Sequence, residues 1–276
     1  MFLAHINDLE SGMIAPLPQY KNHKFLLNSD GDFKIGNNVC PHQASLITST
    51  TKQKLQCQYH GWQWDFNGDP VSQGFASMCN TKKLSLQSAY HCNGLVFDSA
   101  IDLTEFPEFS NFTLVEKRID KVNAVAANIM DVFLDVDHIP HVHEHVYDVI
   151  GIEGPAKVNW QYNTWGSSQT VTGSDGTVAA VWIAVYPYTM IEWQLGALFV
   201  TVCVPNDKET DVVVYKYREL SSDSELWKLN ETIWETAWSQ DKHQSEAIVK
   251  FAEYINLEQS KKHFRLWLKD NGIYSK

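Results

Sequence analysis

Two short stretches, Cys40-Pro41-His42 and Cys57-Gln58-Tyr59-His60, constrain this chain more than any other part of it. Each offers one thiolate and one imidazole within a few consecutive residues, so a single tight turn can present both. The fourteen residues between His42 and Cys57 suffice for a hairpin that brings the two turns together. Two inorganic centres accept two sulfurs and two nitrogens. A structural zinc closes a tetrahedron with two cysteines and two histidines. A cluster of two irons and two sulfides puts both thiolates on one iron and both imidazoles on the other, which raises its potential above that of all-cysteine clusters. Zinc fingers usually give each loop one ligand type. Here each loop carries both types, which suits the cluster better.

The stretch from Asn38 to Gly68 resembles the cluster-binding segment of Rieske proteins, and Gly61-Trp62-Gln63-Trp64-Asp65-Phe66-Asn67-Gly68 resembles the strand and turn after its second loop. The interval between the loops is slightly shorter than is usual in that family, so a trimmed hairpin tip is expected. The resemblance implies that Cys40, His42, Cys57 and His60 hold a [2Fe-2S] cluster.

Around these loops the first part of the chain reads as short strands and turns. Lys24 to Leu27 and Phe33 to Ile35 flank a turn at Asn28–Asp32, Gly61 to Phe66 reads as a strand, and Gly94 to Phe97 as a closing strand. This predicts an all-β domain over 1–105, with Phe106-Pro107-Glu108-Phe109 as linker and a second domain over 106–276. The second domain begins with Phe112–Ile119. Strands follow at Thr177–Tyr186, at Met190–Val204 as a pair around Gly196, and at Asp211–Arg218. The end, from about 222 to 272, reads as helix, with Leu226, Leu229, Ile233 and Trp234 marking one face and Ile248, Val249, Phe251 and Ala252 a later turn. The fold class is α+β: a small β domain, then helices on an antiparallel sheet in a helix-grip-like arrangement.

Residues 123–148 break the β pattern. Apolar residues at 125, 129, 132, 133 and 136 have helical spacing, and Pro140 should end or kink that helix. Four histidines crowd the region: His138, His141, His143 and His145. Asp135 and His138 are three apart and share a helix face, but His143 does not. Helical geometry alone would group His138 with His141 and His145.

Asp135-x2-His138-x4-His143 resembles the catalytic-iron segment of Rieske non-heme iron oxygenases. The resemblance implies that His138 and His143 are iron ligands and that Asp135 links them to the cluster through hydrogen bonds to His138 and a cluster histidine. It selects His138 and His143 where spacing leaves His141 and His145 open. A mononuclear oxygen-activating iron needs two imidazoles and a carboxylate on one face. In the vanillate demethylase and dicamba monooxygenase group that carboxylate lies on a C-terminal helix, which implies Asp241 of Gln240-Asp241-Lys242-His243-Gln244-Ser245-Glu246, with Glu235 and Glu246 as fallbacks. Tyr186-Pro187-Tyr188-Thr189-Met190-Ile191 and His263-Phe264-Arg265-Leu266-Trp267-Leu268 also resemble that group. Val132 stands where many members have Asn.

The remaining composition excludes other classes. A formal net charge of −11, with arginine only at 118, 218 and 265, offers no basic patch for nucleic acid or an anionic membrane. No apolar run reaches the length of a membrane span, and the first residues lack a secretory pattern. Five cysteines leave Cys79, Cys92 and Cys203 outside the loops, which suits reduced thiols in the cytoplasm. Neither a dinucleotide fingerprint nor a P-loop is present. Electrons are therefore expected from NAD(P)H through a separate ferredoxin or flavin reductase. The resemblance implies a homotrimeric terminal oxygenase that uses O2 to hydroxylate or demethylate a small or medium apolar or aromatic substrate, monooxygenation being expected ahead of dioxygenation. Trp165, Trp182 and Trp193 are candidates to line its cavity. The alternative is a Rieske electron carrier whose second domain binds a ligand or partner without catalysis.

Overall fold

A computed structural model describes residues 1–72, 82–143, 157–194, 196–248 and 259–273. The chain divides into two compact units, Phe2–Asn111 and Phe112–Lys276, the second taking in Met1.

The first unit is β throughout. β1 (Phe2–His5), β2 (Met13–Pro16), β3 (Lys24–Ser29), β4 (Asp32–Asn37), β5 (Leu55–Gln56), β6 (Gln63–Trp64), β7 (Pro70–Ser72), β8 (Leu86–Ser88), β9 (Tyr90–Cys92) and β10 (Leu95–Phe97) form three small antiparallel sheets. Their orders are β1-β10-β9, β2-β3-β4-β8 and β5-β6-β7. Alternation along β3 sends Phe25 and Leu27 into one apolar cluster with Ile47, Trp62 and Trp64, and Leu26 into another with Leu3, Phe33 and Val96. The expected strand over Gly61–Phe66 shortens to Gln63–Trp64, because Gly61 and the residues before it belong to the ligand turn. Residues 106–111 pack with this unit: His5 Nε2 meets the Phe109 carbonyl at 2.7 Å, and Asn93 Nδ2 donates to the carbonyls of Leu103 and Phe106.

In the second unit β11 (Phe112–Val122), β12 (Lys157–Asn163), β13 (Gly166–Thr172), β14 (Val178–Val185), β15 (Thr189–Gln194), β16 (Ala197–Pro205) and β17 (Thr210–Glu219) form an antiparallel sheet in the order β11-β17-β16-β15-β14-β13-β12. The strands from β12 to β17 meander, and β11 closes against β17. Gly196 sits between β15 and β16 at φ +81°, a backbone region that suits glycine, and so permits the tight connection expected there. One sheet face, with Ala180, Trp182, Met190, Phe199, Val212 and Val214, packs against the helices.

Those helices are α1 (Ala126–Phe133), α2 (Ile139–Val142), α3 (Ser224–Ala247) and α4 (Gln259–Asp270). Asp223 caps α3 by accepting from Glu225 N at 2.8 Å. The buried stripe of α3 is Trp227, Asn230, Trp234, Trp238, Asp241 and Ser245. Of the expected face of Leu226, Leu229, Ile233 and Trp234, Trp234 is buried as expected, whereas Leu229 is exposed and Trp227 and Trp238 complete the face instead. Of the later turn, Val249, Phe251 and Ala252 lie outside the described residues.

A buried ion pair ties α4 to α1: Arg265 donates to both carboxylate oxygens of Asp131, and both side chains are only 7% exposed. Removing one member leaves the other charged and unpaired. Arg265→Ala should therefore destabilise the second unit by about 3–5 kcal/mol, read as an earlier midpoint in urea unfolding.

The helix expected over 123–148 is broken earlier than its proline. α1 ends at Phe133, Asp135 is extended (φ −97°, ψ 90°), and a 3-10 turn at Val136–His138 leads into α2. Ser260 Oγ of α4 donates to the Leu134 carbonyl at 2.9 Å, satisfying an acceptor that a continuing helix would have used. Pro140 falls in the first turn of α2, where its missing N–H removes no helical bond.

Candidate functional site

The two ligand turns of the first unit share one backbone plan. Cys40 N donates to Ser45 O and Ala44 N to Cys40 O, at 2.8 and 3.0 Å; Cys57 N donates to Trp62 O and Gly61 N to Cys57 O, at 2.8 and 3.1 Å. The fifth residue of each turn is left-handed, Ala44 at φ +56° and Gly61 at φ +72°. Alanine carries a penalty there that glycine does not. Ala44→Gly should thus raise the unfolding midpoint of the first unit, with a gain of about 0.5–1 kcal/mol.

The thiols of Cys40 and Cys57 are buried, whereas His60 is exposed and His42 partly so. Burial pushes the Cys40 thiol up, and the neighbouring Cys57 adds to this. The two Nδ1 atoms of His42 and His60 lie 3.2 Å apart, and the His42 ring stacks on Trp62 at 4.4 Å and 13°. Between the turns the expected hairpin is replaced by an irregular arch. Buried Asn38 holds it, donating to Thr48 O at 2.7 Å and accepting from Thr48 N at 2.8 Å, while Lys52 Nζ donates to Ile47 O and Gln56 O at 2.7 Å each.

These distances separate the two centres that the ligand types allow. In a single zinc site any pair of ligand atoms lies within about 3.8 Å. Among the described residues, the set of three or more ligand atoms all within 4.8 Å of one another is His138, His143 and Asp241; no three of the loop ligands close so far. A paired-imidazole spacing of 3.2 Å matches two nitrogens on one tetrahedral ion, for which bonds of about 2.1 Å give an edge of about 3.4 Å. The loop ligands thus fit a centre with more than one metal.

In the second unit the break after α1 points His138 and His143 at one spot, and α3 brings Asp241 to it. The Nε2 atoms are 2.9 Å apart, and Asp241 Oδ1 lies 3.2 Å from the first and 2.9 Å from the second. Bonds of about 2.1 Å at right angles span about 3.0 Å, so the three atoms match one face of an octahedron. Gln240 Oε1 accepts from His143 Nδ1 at 2.8 Å, which fixes the proton there and leaves Nε2 with a free lone pair. Burial opposes the charge on Asp241, but the two imidazoles more than offset this and hold its carboxyl below the usual range.

Asp135 does not make the expected hydrogen bond to His138. Its Oδ1 is 3.9 Å from His138 Nδ1, beyond hydrogen-bond length, while Oδ2 is held by Lys261 Nζ at 2.7 Å. His141 is exposed, and His145 lies outside the described residues, as does Cys79. Glu235 pairs with Arg118 and Lys216, and Glu246 accepts from Asn123 N, so neither fallback carboxylate joins the triad.

A cavity of about 60 Å3 opens over the triad and is lined among the described residues by Phe133, Trp182, Met190, Glu192 and Trp234 as well. Trp165 and Trp193 are absent from this lining. Glu192 was not expected from sequence, although its place two residues after Met190 in an alternating strand puts both on one face. Trp234 Nε1 donates to its Oε2 at 2.9 Å, and burial pushes its carboxyl up to about 7. Gln240 and Lys261 were also missed; Gln240 directly precedes Asp241, and Lys261 directly follows Ser260.

Comparison with known proteins agrees with this organisation. Residues 1–83 match the Rieske [2Fe-2S] domain family. Putrescine 2-hydroxylase of Ralstonia nicotianae is 20% identical over 259 residues, covering 73% of this chain and 70% of that protein. Among solved structures, a quaternary ammonium Rieske monooxygenase, CntA, matches all of this chain and 88% of its own with a TM-score of 0.75 at 14% identity. NdmA of Pseudomonas putida CBB5 matches 97% of this chain and 87% of its own with a TM-score of 0.59 at 17% identity. The chain thus has an N-terminal Rieske β domain followed by a domain built on a large antiparallel sheet, the architecture of Rieske oxygenase structures.

Proposed function

We propose that this chain is the terminal component of a Rieske oxygenase, with a [2Fe-2S] cluster on Cys40, His42, Cys57 and His60 and a mononuclear Fe(II) on His138, His143 and Asp241. The observation that carries the reading is the convergence of two imidazoles and one carboxylate, at 2.9–3.2 Å from one another, on a partly apolar cavity. Two nitrogens and one oxygen on one face are the ligand set of oxygen-activating ferrous sites. An electron carrier with an inert second domain would leave this arrangement unexplained.

The cluster would supply single electrons at moderate potential, and the ferrous ion would supply the open positions at which O2 is activated. Monooxygenation balances as RH + O2 + two electrons + two protons giving ROH and water. A hydroxylated N- or O-methyl group would then be lost as formaldehyde. The chain's residues orient and enclose. Gln240 fixes the His143 ring. Asp135, held by Lys261, places a carboxylate next to His138. Phe133, Trp182 and Met190 keep the cavity apolar beside the ligands. Electrons would come from NAD(P)H through a separate ferredoxin or flavin reductase. A homotrimer belongs to the reading; the CntA structure is described in terms of inter-subunit electron transfer. Among the described residues no helix is long and apolar enough to cross a membrane.

Iron and acid-labile sulfide should be counted on protein purified without oxygen, followed by O2 consumption with a surrogate reductase. About three irons and two sulfides per chain, with substrate-stimulated O2 uptake, are expected. Zinc in place of iron and sulfide would end the reading. Gln240→Leu should weaken retention of the mononuclear iron by about 10–100-fold against a chelator while leaving the cluster absorption intact.

A further inference from the structure

Glu192 plays no part in the iron reading, yet it is the most unusual group in the cavity. In β15 it faces the helix side of the sheet, and its cross-strand neighbours are Trp182 on β14 and Phe199 on β16. Trp234 of α3 stacks on Phe199 with centroids 4.9 Å apart at 11°, and donates Nε1–H to Glu192 Oε2. The carboxylate is therefore set in a wall of three aromatic rings. Its other oxygen, Oε1, has no hydrogen-bond partner among the described residues.

Carboxylates in apolar surroundings usually have a cation. Asp131 has Arg265, and Asp135 has Lys261. The charged groups that act most on Glu192 are Asp241 and His143. Nor is Glu192 a fourth ligand, since its oxygens fall outside the set that closes within 4.8 Å. A carboxylate with one oxygen free, facing a cavity and walled by indole rings, has the chemistry of an ammonium receptor. The free oxygen takes a charge-assisted hydrogen bond, and Trp234, whose ring already stacks on Phe199 and lies under the Arg118 guanidinium at 5.9 Å, holds the other oxygen through its N–H.

We propose that Glu192, positioned by Trp234 and beside Trp182, binds the ammonium group of the substrate, which is accordingly an organic amine cation with an apolar body. This assignment rests on the oxygenase reading for its place beside the iron ligands. It narrows the substrate from the apolar or aromatic compound that the resemblance implies to one that is positively charged at one end.

The test is calorimetric titration of the full-length, metal-counted protein with butylammonium and 2-phenylethylammonium ions and with the neutral analogues butanol and 2-phenylethanol. Each cation should bind about tenfold or more tighter than its alcohol. Glu192→Gln, which keeps an acceptor for Trp234, should erase that preference and leave alcohol binding and iron content unchanged. Equal affinities for cation and alcohol, or a preference that survives in Glu192→Gln, would overturn the proposal. If the variant does not fold, the wild-type comparison decides alone. The iron count separates the two readings. Iron-loaded, O2-consuming protein that ignores charge refutes only the ammonium site. Protein that prefers cations but holds no mononuclear iron refutes the oxygenase and leaves the ammonium site standing.

Discussion

Asp241→Ala is expected to yield a protein with its cluster spectrum intact, about two irons and two sulfides per chain, and O2-dependent turnover reduced by more than about a hundredfold. Among the described residues, this carboxylate is the anionic group within 3.2 Å of both imidazole Nε2 atoms. Without it, two neutral nitrogens remain, and a ferrous ion loses both a ligand and the charge that offsets its own. The fold should survive. α3 is anchored through Trp227, Trp234 and Trp238, and Ser245 Oγ bonds the backbone carbonyl of Asp241, which the substitution keeps. Turnover retained with three irons would sink the ligand assignment. Asp241→Glu is the companion variant: it keeps the charge but moves the oxygen by one methylene, so partial iron retention is expected from it.

Cys57→Ala should have the complementary effect, with visible cluster absorption abolished, sulfide absent and about one iron per chain retained. Cys57 is buried among Ile14, Leu55 and Trp62, and its turn is closed by bonds to Trp62 O and from Gly61 N, which do not involve the sulfur. The turn can therefore keep its backbone while losing a ligand. Turnover should fall to background, because the second site would receive no electrons. Persistence of the cluster absorption would refute the assignment of the loops. Taken together, the two variants should divide the metal content of the chain into two independent parts.

How much of this was legible in the sequence varies by element. The proposed cluster ligands were readable because each pair lies within one turn: one or two residues separate Cys from His, and a turn of that length is set by local backbone chemistry. The long strands were readable for a similar reason. β14, β15, β16 and β17 were expected within one or two residues at each end, with the turn at Gly196. The errors have a common cause. The helix over 123–148 breaks after Phe133 because Ser260 caps Leu134 O from a segment that lies 126 positions further along the chain. Of the expected α3 stripe of Leu226, Leu229, Ile233 and Trp234, Trp234 is buried, but Trp227 and Trp238 join it in place of the leucines and turn the helix toward the rings.

By itself, then, the sequence determined the ligand types, the two turns proposed to carry the cluster, the antiparallel sheet and the candidate set Asp135, His138, His143 and Asp241. Those depend on interactions between residues near one another in the chain, or on a resemblance to chains that share them. Tertiary structure alone decided which histidines meet, that Asp241 and not Glu235 or Glu246 reaches them, that Asp135 is held by Lys261 at 3.9 Å from His138, and that Glu192 is held through one oxygen by Trp234 among aromatic rings. Each of those facts depends on contacts between segments far apart in sequence. The hydrophobic packing that brings such segments together is summed over the whole unit and leaves no mark on any one stretch.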